Sequence, residues 1–136
     1  MDENILIKNA KIVDAGSVYE SDVFIKNGVI ERIDPSISLY PGTRLIQADN
    51  KFLIPGAIDT HVHFRDPGLI QKGDFATESA AAVAGGVTSV IDMPNTNPPA
   101  VTPELLEEKF AMAARKSSVN YSFMIGATEH NVEDIL

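Results

Sequence analysis

His61 and His63 stand one residue apart at the end of an apolar run. In an extended strand alternate side chains share a face. The two imidazoles therefore project together, and Val62 points the other way. Two converging imidazoles are what a divalent metal needs. The chain has no cysteine, so any metal is held by nitrogen and oxygen. A catalytic zinc usually takes three protein ligands plus water, so at least one further ligand must come from elsewhere. Two neighbouring histidines can also serve as hydrogen-bonding groups of a core. Here Asp66-Pro67-Gly68 reads as a tight turn just after them. That puts the pair at the carboxyl end of a strand, where α/β folds gather chemistry, and favours the metal.

Arg65 comes next. If strand alternation holds for one more step, it points the same way as the histidines, and a guanidinium beside a metal would grip a carboxylate bidentately. The plainer reading is an exposed Arg65–Asp66 ion pair closing the turn, which contributes little. The loop Met93-Pro94-Asn95-Thr96-Asn97-Pro98-Pro99 leaves a later strand at the same sheet edge, and Asn95 would bring an amide donor and acceptor there. His130, with Glu129, reads as a solvated loop residue that could approach the same edge. Gly85-Gly86 lacks phosphate-loop spacing and reads as a helix stop.

The elements that position these residues fall into two parts. Residues 4 to 54 read as short strands: Ile5-Leu6-Ile7, Lys11-Ile12-Val13, Asp22 to Lys26, Val29 to Ile33, Arg44 to Gln47 and Phe52-Leu53-Ile54. Asn27-Gly28 is a strong hairpin signal, since both turn residues must accept positive φ. No helical periodicity appears there. Beyond Pro55-Gly56 the pattern alternates. Ala57 to His63 reads as a buried strand. Asp74 caps a helix through Ala76 and Ala80 to Ala84, and Val87 to Met93 is a β-branched strand. Thr102-Pro103 opens a second helix with Leu106, Phe110 and Ala113 or Ala114 as its apolar stripe. Val119 to Ile125 is a third strand, and Asn131 caps a last helix. A β-α-β-α-β order predicts a parallel sheet with right-handed crossovers. It closes either as a (β/α)₈ barrel or as an open doubly wound sheet. A barrel needs roughly 250 residues, so at 136 residues neither closure is complete.

Lys plus Arg number 11 and Asp plus Glu 19, a formal net charge of −8. That argues against nucleic acid and anionic membranes as partners. No apolar run is long enough to span a bilayer, and the amino terminus lacks the basic start of a signal peptide. The expected location is cytoplasmic.

Pro55-Gly56-Ala57-Ile58-Asp59-Thr60-His61-Val62-His63 resembles the first-strand motif of the amidohydrolase superfamily. The continuation Phe64-Arg65-Asp66-Pro67-Gly68, then Ala80 to Thr88 and Met93 to Pro99, is similar to dihydroorotases of the long, bacterial class. The resemblance covers nearly the whole chain. It implies an α/β fold, a (β/α)₈ TIM-type barrel of which only the first ~3 strands are present, preceded by a small β-sandwich unit. The domains are then 1–54 and 55–136. It further implies a zinc hydrolase interconverting dihydroorotate and N-carbamoyl-L-aspartate in pyrimidine synthesis. His61 and His63 would bind the more buried ion of a site holding one or two Zn²⁺. Arg65 and Asn95 would hold the substrate carboxylate. The family's other ligands and its aspartate acid/base have no place before Leu136, which leaves the general acid/base unknown. In such chemistry zinc-bound hydroxide, with a water pKa near ~7, attacks the ring carbonyl. Arg65 orients the ring, and a base passes the proton to the leaving nitrogen. The expected partner is the small-molecule substrate, and a homodimer is the expected assembly. The alternatives are a hydantoinase, allantoinase or dihydropyrimidinase, and a catalytically inactive assembly subunit.

Overall fold

A computed structural model describes residues 4–135. The chain divides into two compact units, Met1–Pro55 and Gly56–Leu136.

The first unit is all β. β1 (Ile5–Asp14) turns at Ala15-Gly16 into β2 (Ser17–Lys26), and Asn27-Gly28 turns β2 into β3 (Val29–Asp34). Asn27 and Gly28 have φ of 52° and 76°, the pair of positive values a two-residue hairpin demands. β4 (Arg44–Gln47) and β5 (Phe52–Leu53) both pair parallel with β1, giving the order β3-β2-β1-β4. The two apolar runs at Ile5 and Lys11 are therefore one strand. Asn9, at φ 57°, makes the irregularity between them where the register to β2 shifts. These strands form one sheet; the described residues do not supply the second layer of a sandwich. Leu6, Phe24 and Ile37 form one small core, and Ala10, Ile12, Val23 and Ala48 another. Asp22 is buried between the N–H groups of Asn9 (2.9 Å) and Ile37 (2.8 Å) and the Lys8 ammonium (3.0 Å).

The second unit is α/β: β6 (Ala57–Val62), α1 (Phe75–Ala84), β7 (Val87–Asp92), α2 (Pro103–Lys116), β8 (Asn120–Phe123) and α3 (Val132–Ile135). The strands run parallel in the order β6-β7-β8. The Asp74 carboxylate caps α1 by accepting from Ala76 N and Thr77 N at 2.8 and 2.9 Å, and Thr102 caps α2. α1 packs on β7 and α2 on β8. Phe64, Phe75, Val90, Ala113, Val119 and Phe123 make the core between them.

Two expectations are corrected here. β6 is not buried: Ile58 is 68% exposed, because among the described residues β6 has β7 alone beside it in the sheet. Asn131 precedes α3, but its side chain caps nothing. Its Oδ1 accepts from Thr128 N and Oγ1, and its Nδ2 donates to the Val101 and Gly126 carbonyls, both at 2.7 Å. That buried amide ties the Val101 segment to the Gly126–Thr128 loop by satisfying backbone groups of both. No helix among the described residues is long and apolar enough to cross a membrane.

Candidate functional site

His61 ends β6 with Val62, and His63 follows immediately. Their rings lie side by side, centroids 5.2 Å apart at 67°. Both are exposed. Asp59 Oδ1 accepts from His61 N at 3.1 Å, which fixes the backbone entering the pair. The Asn95 side chain reaches across from the loop after β7, its Oδ1 2.9 Å from His63 Nδ1. An amide oxygen only accepts, so this contact is a hydrogen bond in the tautomer that carries its hydrogen on Nδ1, which leaves the Nε2 lone pair free. Fixing the tautomer in this way is how a neighbouring group prepares a histidine to ligate a metal. The donor set suits zinc chemically, and it supplies two of the three protein ligands such an ion usually takes. Among the described residues no third His, Asp or Glu gathers with them. His130 pairs with Glu129 at 3.2 Å, both 84% exposed.

The alternation argument does not extend to Arg65. The strand stops at Val62, and Phe64 turns into the core with its ring 6.1 Å from Phe75. Arg65 then takes φ 68°, a left-handed conformation that costs a non-glycine residue about 1 kcal/mol or more. Arg65 is half-buried. Asp66 is not its ion-pair partner: that carboxylate is buried and takes the Lys116 ammonium at 2.6 Å. Among the described residues the Arg65 guanidinium has no hydrogen bond or ion pair of its own.

Two loops frame the pair and lean on each other. Gly68 ends the turn after Arg65 with φ 81°, and a Cβ there would lie 1.9 Å from the Asn97 carbonyl oxygen. Asn97 N donates to Pro67 O at 3.1 Å. The Asn95 loop is held from within by Thr96 Oγ1 on Pro98 O (2.8 Å) and Ala100 N on Pro94 O (2.9 Å).

One buried ion pair close to the site is not among the residues that the spacing of motifs singles out. Asp92, last in β7, and Lys109, on α2, form an ion pair of 2.7 Å in which each side chain is 1% exposed. The signal was present. Lys109 lies three residues after Leu106 and four before Ala113, on the apolar stripe of its own helix, where a cation must find a buried anion.

Residues 52–134 match the model of the amidohydrolase family. The chain is 37% identical over 132 residues to a dihydroorotase of Methanosarcina acetivorans, covering 97% of this chain and 28% of that protein. It is 32% identical over 133 residues to an L-hydantoinase of Paenarthrobacter aurescens, covering 97% and 29%. Among solved structures, an L-hydantoinase (dihydropyrimidinase) from Arthrobacter aurescens matches with a TM-score of 0.92 at 32% identity, over 99% of this chain and 30% of that one. The chain thus spans under a third of the length of the curated relatives it matches.

Proposed function

The chain belongs to the amidohydrolase family, and from that premise we propose that it carries part of the active site of a zinc-dependent dihydroorotase. The observation that carries the reading is the His61–His63 ring pair with Asn95 bonded to His63 Nδ1. β6, β7 and β8 are then the first three strands of a (β/α)₈ barrel, with residues 55–136 belonging to it. Residues 4–54 contribute one layer of a small β-sandwich. The pair sits at the carboxyl end of β6, the end where barrel enzymes place chemistry.

His61 and His63 would hold the metal. Zinc, when bound, acidifies water toward neutrality and polarises a carbonyl. The remaining work is done by residues of this chain. Arg65, whose guanidinium has no hydrogen bond or ion pair among the described residues, takes the carboxylate of a small cyclic acid. Asn95 spends its oxygen on His63 and keeps its amide N–H groups for the same carboxylate. Gripping the acid at one end orients the ring carbonyl. A cytoplasmic enzyme of pyrimidine synthesis fits this chemistry.

The test is a substrate panel on the complete polypeptide: dihydroorotate against dihydrouracil, hydantoin and allantoin. Dihydrouracil is the same ring without the carboxylate. Losing a charge-assisted bond of about 1.5–3 kcal/mol corresponds to roughly a 10- to 150-fold fall in kcat/KM. A matching or higher kcat/KM for dihydrouracil or hydantoin assigns the hydantoinase or dihydropyrimidinase class instead. Absence of turnover across the panel, with folded protein, assigns the assembly-subunit role.

A further inference from the structure

The Lys109 ammonium is committed in three directions. It donates to Asp92 Oδ2 at 2.7 Å and to Met93 O at 3.0 Å, and it lies 4.8 Å from the centroid of the Phe123 ring. The other Asp92 oxygen accepts from Phe64 N at 2.8 Å. Phe64 is the residue after His63, and Met93 is two residues before Asn95. His63 and Asn95 are the two ends of one 2.9 Å hydrogen bond. A single buried cation therefore holds the backbone beside both ends of that bond.

Stability alone does not account for the pair. Desolvating two charges offsets most of their attraction, and apolar side chains of similar volume serve a core as well. What an apolar pair cannot do is accept from Phe64 N and donate to Met93 O together. We infer that Lys109 is a positioning residue, which through Asp92 and Met93 keeps Asn95 on His63 and so holds His63 in the Nδ1–H tautomer with Nε2 free. The value of that tautomer for a metal rests on the zinc reading above; the tautomer itself does not.

Lys109→Met alone leaves the Asp92 carboxylate buried without a partner. The informative variant is Asp92→Leu/Lys109→Met, which removes both charges and both anchors. Should it not fold, Asp92→Asn/Lys109→Met keeps an acceptor for Phe64 N, loses the Met93 anchor, and carries the same test. Ser79→Ala, which deletes the 2.9 Å bond that the buried Ser79 hydroxyl accepts from Ser118 N, controls for destabilisation. The first readout is the His63 tautomer from long-range proton–nitrogen imidazole spectra of the metal-free, full-length protein. The second is Zn²⁺ affinity by competition with a chromophoric chelator. The expected result is Nδ1–H in the parent, a mixture of tautomers in the double variant, and about 10- to 100-fold weaker Zn²⁺ binding there. Ser79→Ala should move neither readout. A double variant that keeps His63 wholly Nδ1–H, or a Ser79→Ala protein that shifts equally, overturns the inference. A parent that binds no Zn²⁺ sinks the metal reading instead, and the tautomer comparison still decides the role of Lys109.

Discussion

Replacing Gly68 by alanine tests whether the two loops beside the histidines are mechanically joined. Gly68 has φ 81°, where an L-residue pays about 1–2 kcal/mol. The added Cβ would also stand 1.9 Å from Asn97 O and 2.7 Å from Asn97 Cβ, whereas real contacts essentially never fall under 3.0 Å. Moving from 1.9 Å to 3.0 Å takes a displacement of about 1.1 Å. That retreat breaks the 3.1 Å bond from Asn97 N to Pro67 O. It also pulls on Asn95, two residues away, whose 2.9 Å bond to His63 has little room to stretch. A misplacement of about 1 Å at a positioning group costs on the order of 10²-fold in rate. Gly68→Ala in the complete polypeptide should therefore lose roughly 100-fold in dihydroorotate kcat/KM as well as stability. Gly28→Ala is the matched control. It carries the same kind of strain, at φ 76°, but its Cβ meets nothing within 4 Å, so it should lose stability and keep its kinetics. Steady-state kinetics and denaturant unfolding read both. A Gly68→Ala enzyme within twofold of the parent kcat/KM would refute the coupling.

Three further outcomes follow from named contacts. Arg65→Ala should raise KM for dihydroorotate by roughly 10- to 150-fold with a smaller change in kcat; an unchanged KM removes the carboxylate role. Arg65→Gly should show the same KM but resist denaturant better than Arg65→Ala, because glycine accepts φ 68° without strain. Burial opposes the Asp22 charge, but the N–H groups of Asn9 and Ile37 and the Lys8 ammonium outweigh it and hold its pKa below the ordinary value. The stability this supplies is complete above the unfolded carboxylate value of about 3.9 and is lost as pH falls through the lower folded value. Asp22→Asn should therefore flatten the acid limb of the unfolding curve below about pH 4; equal acid sensitivity in both proteins would contradict it.

What the residues disclosed in advance was local. The period-2 spacing of His61 and His63, the Asp74 and Thr102 caps and the Asn27-Gly28 turn each depend on neighbours within a few positions, and each has its expected geometry. What stayed hidden depends on distance along the chain. Asp66 finds Lys116 fifty residues away, which no local pattern announces, so the nearer Arg65 looked like its partner. Lys109 is hidden for a different reason: it lies on the apolar stripe of α2, and the anion that pairs with it, Asp92, comes from β7. The exposure of β6 is not legible in its residues, because an apolar run reports what a strand can bury, not which neighbours cover it. The parallel strand order already places Asn95 at the histidines' edge of the sheet; that its partner there is His63 Nδ1 depends on β6 and β7 being neighbours.

The zinc content of the complete polypeptide, by elemental analysis of the parent and of His61→Ala/His63→Ala, bears most directly on the paired imidazoles. One or two zinc ions per chain in the parent, with at least one lost in a variant that still folds, is the predicted result. Equal zinc in both proteins would contradict it.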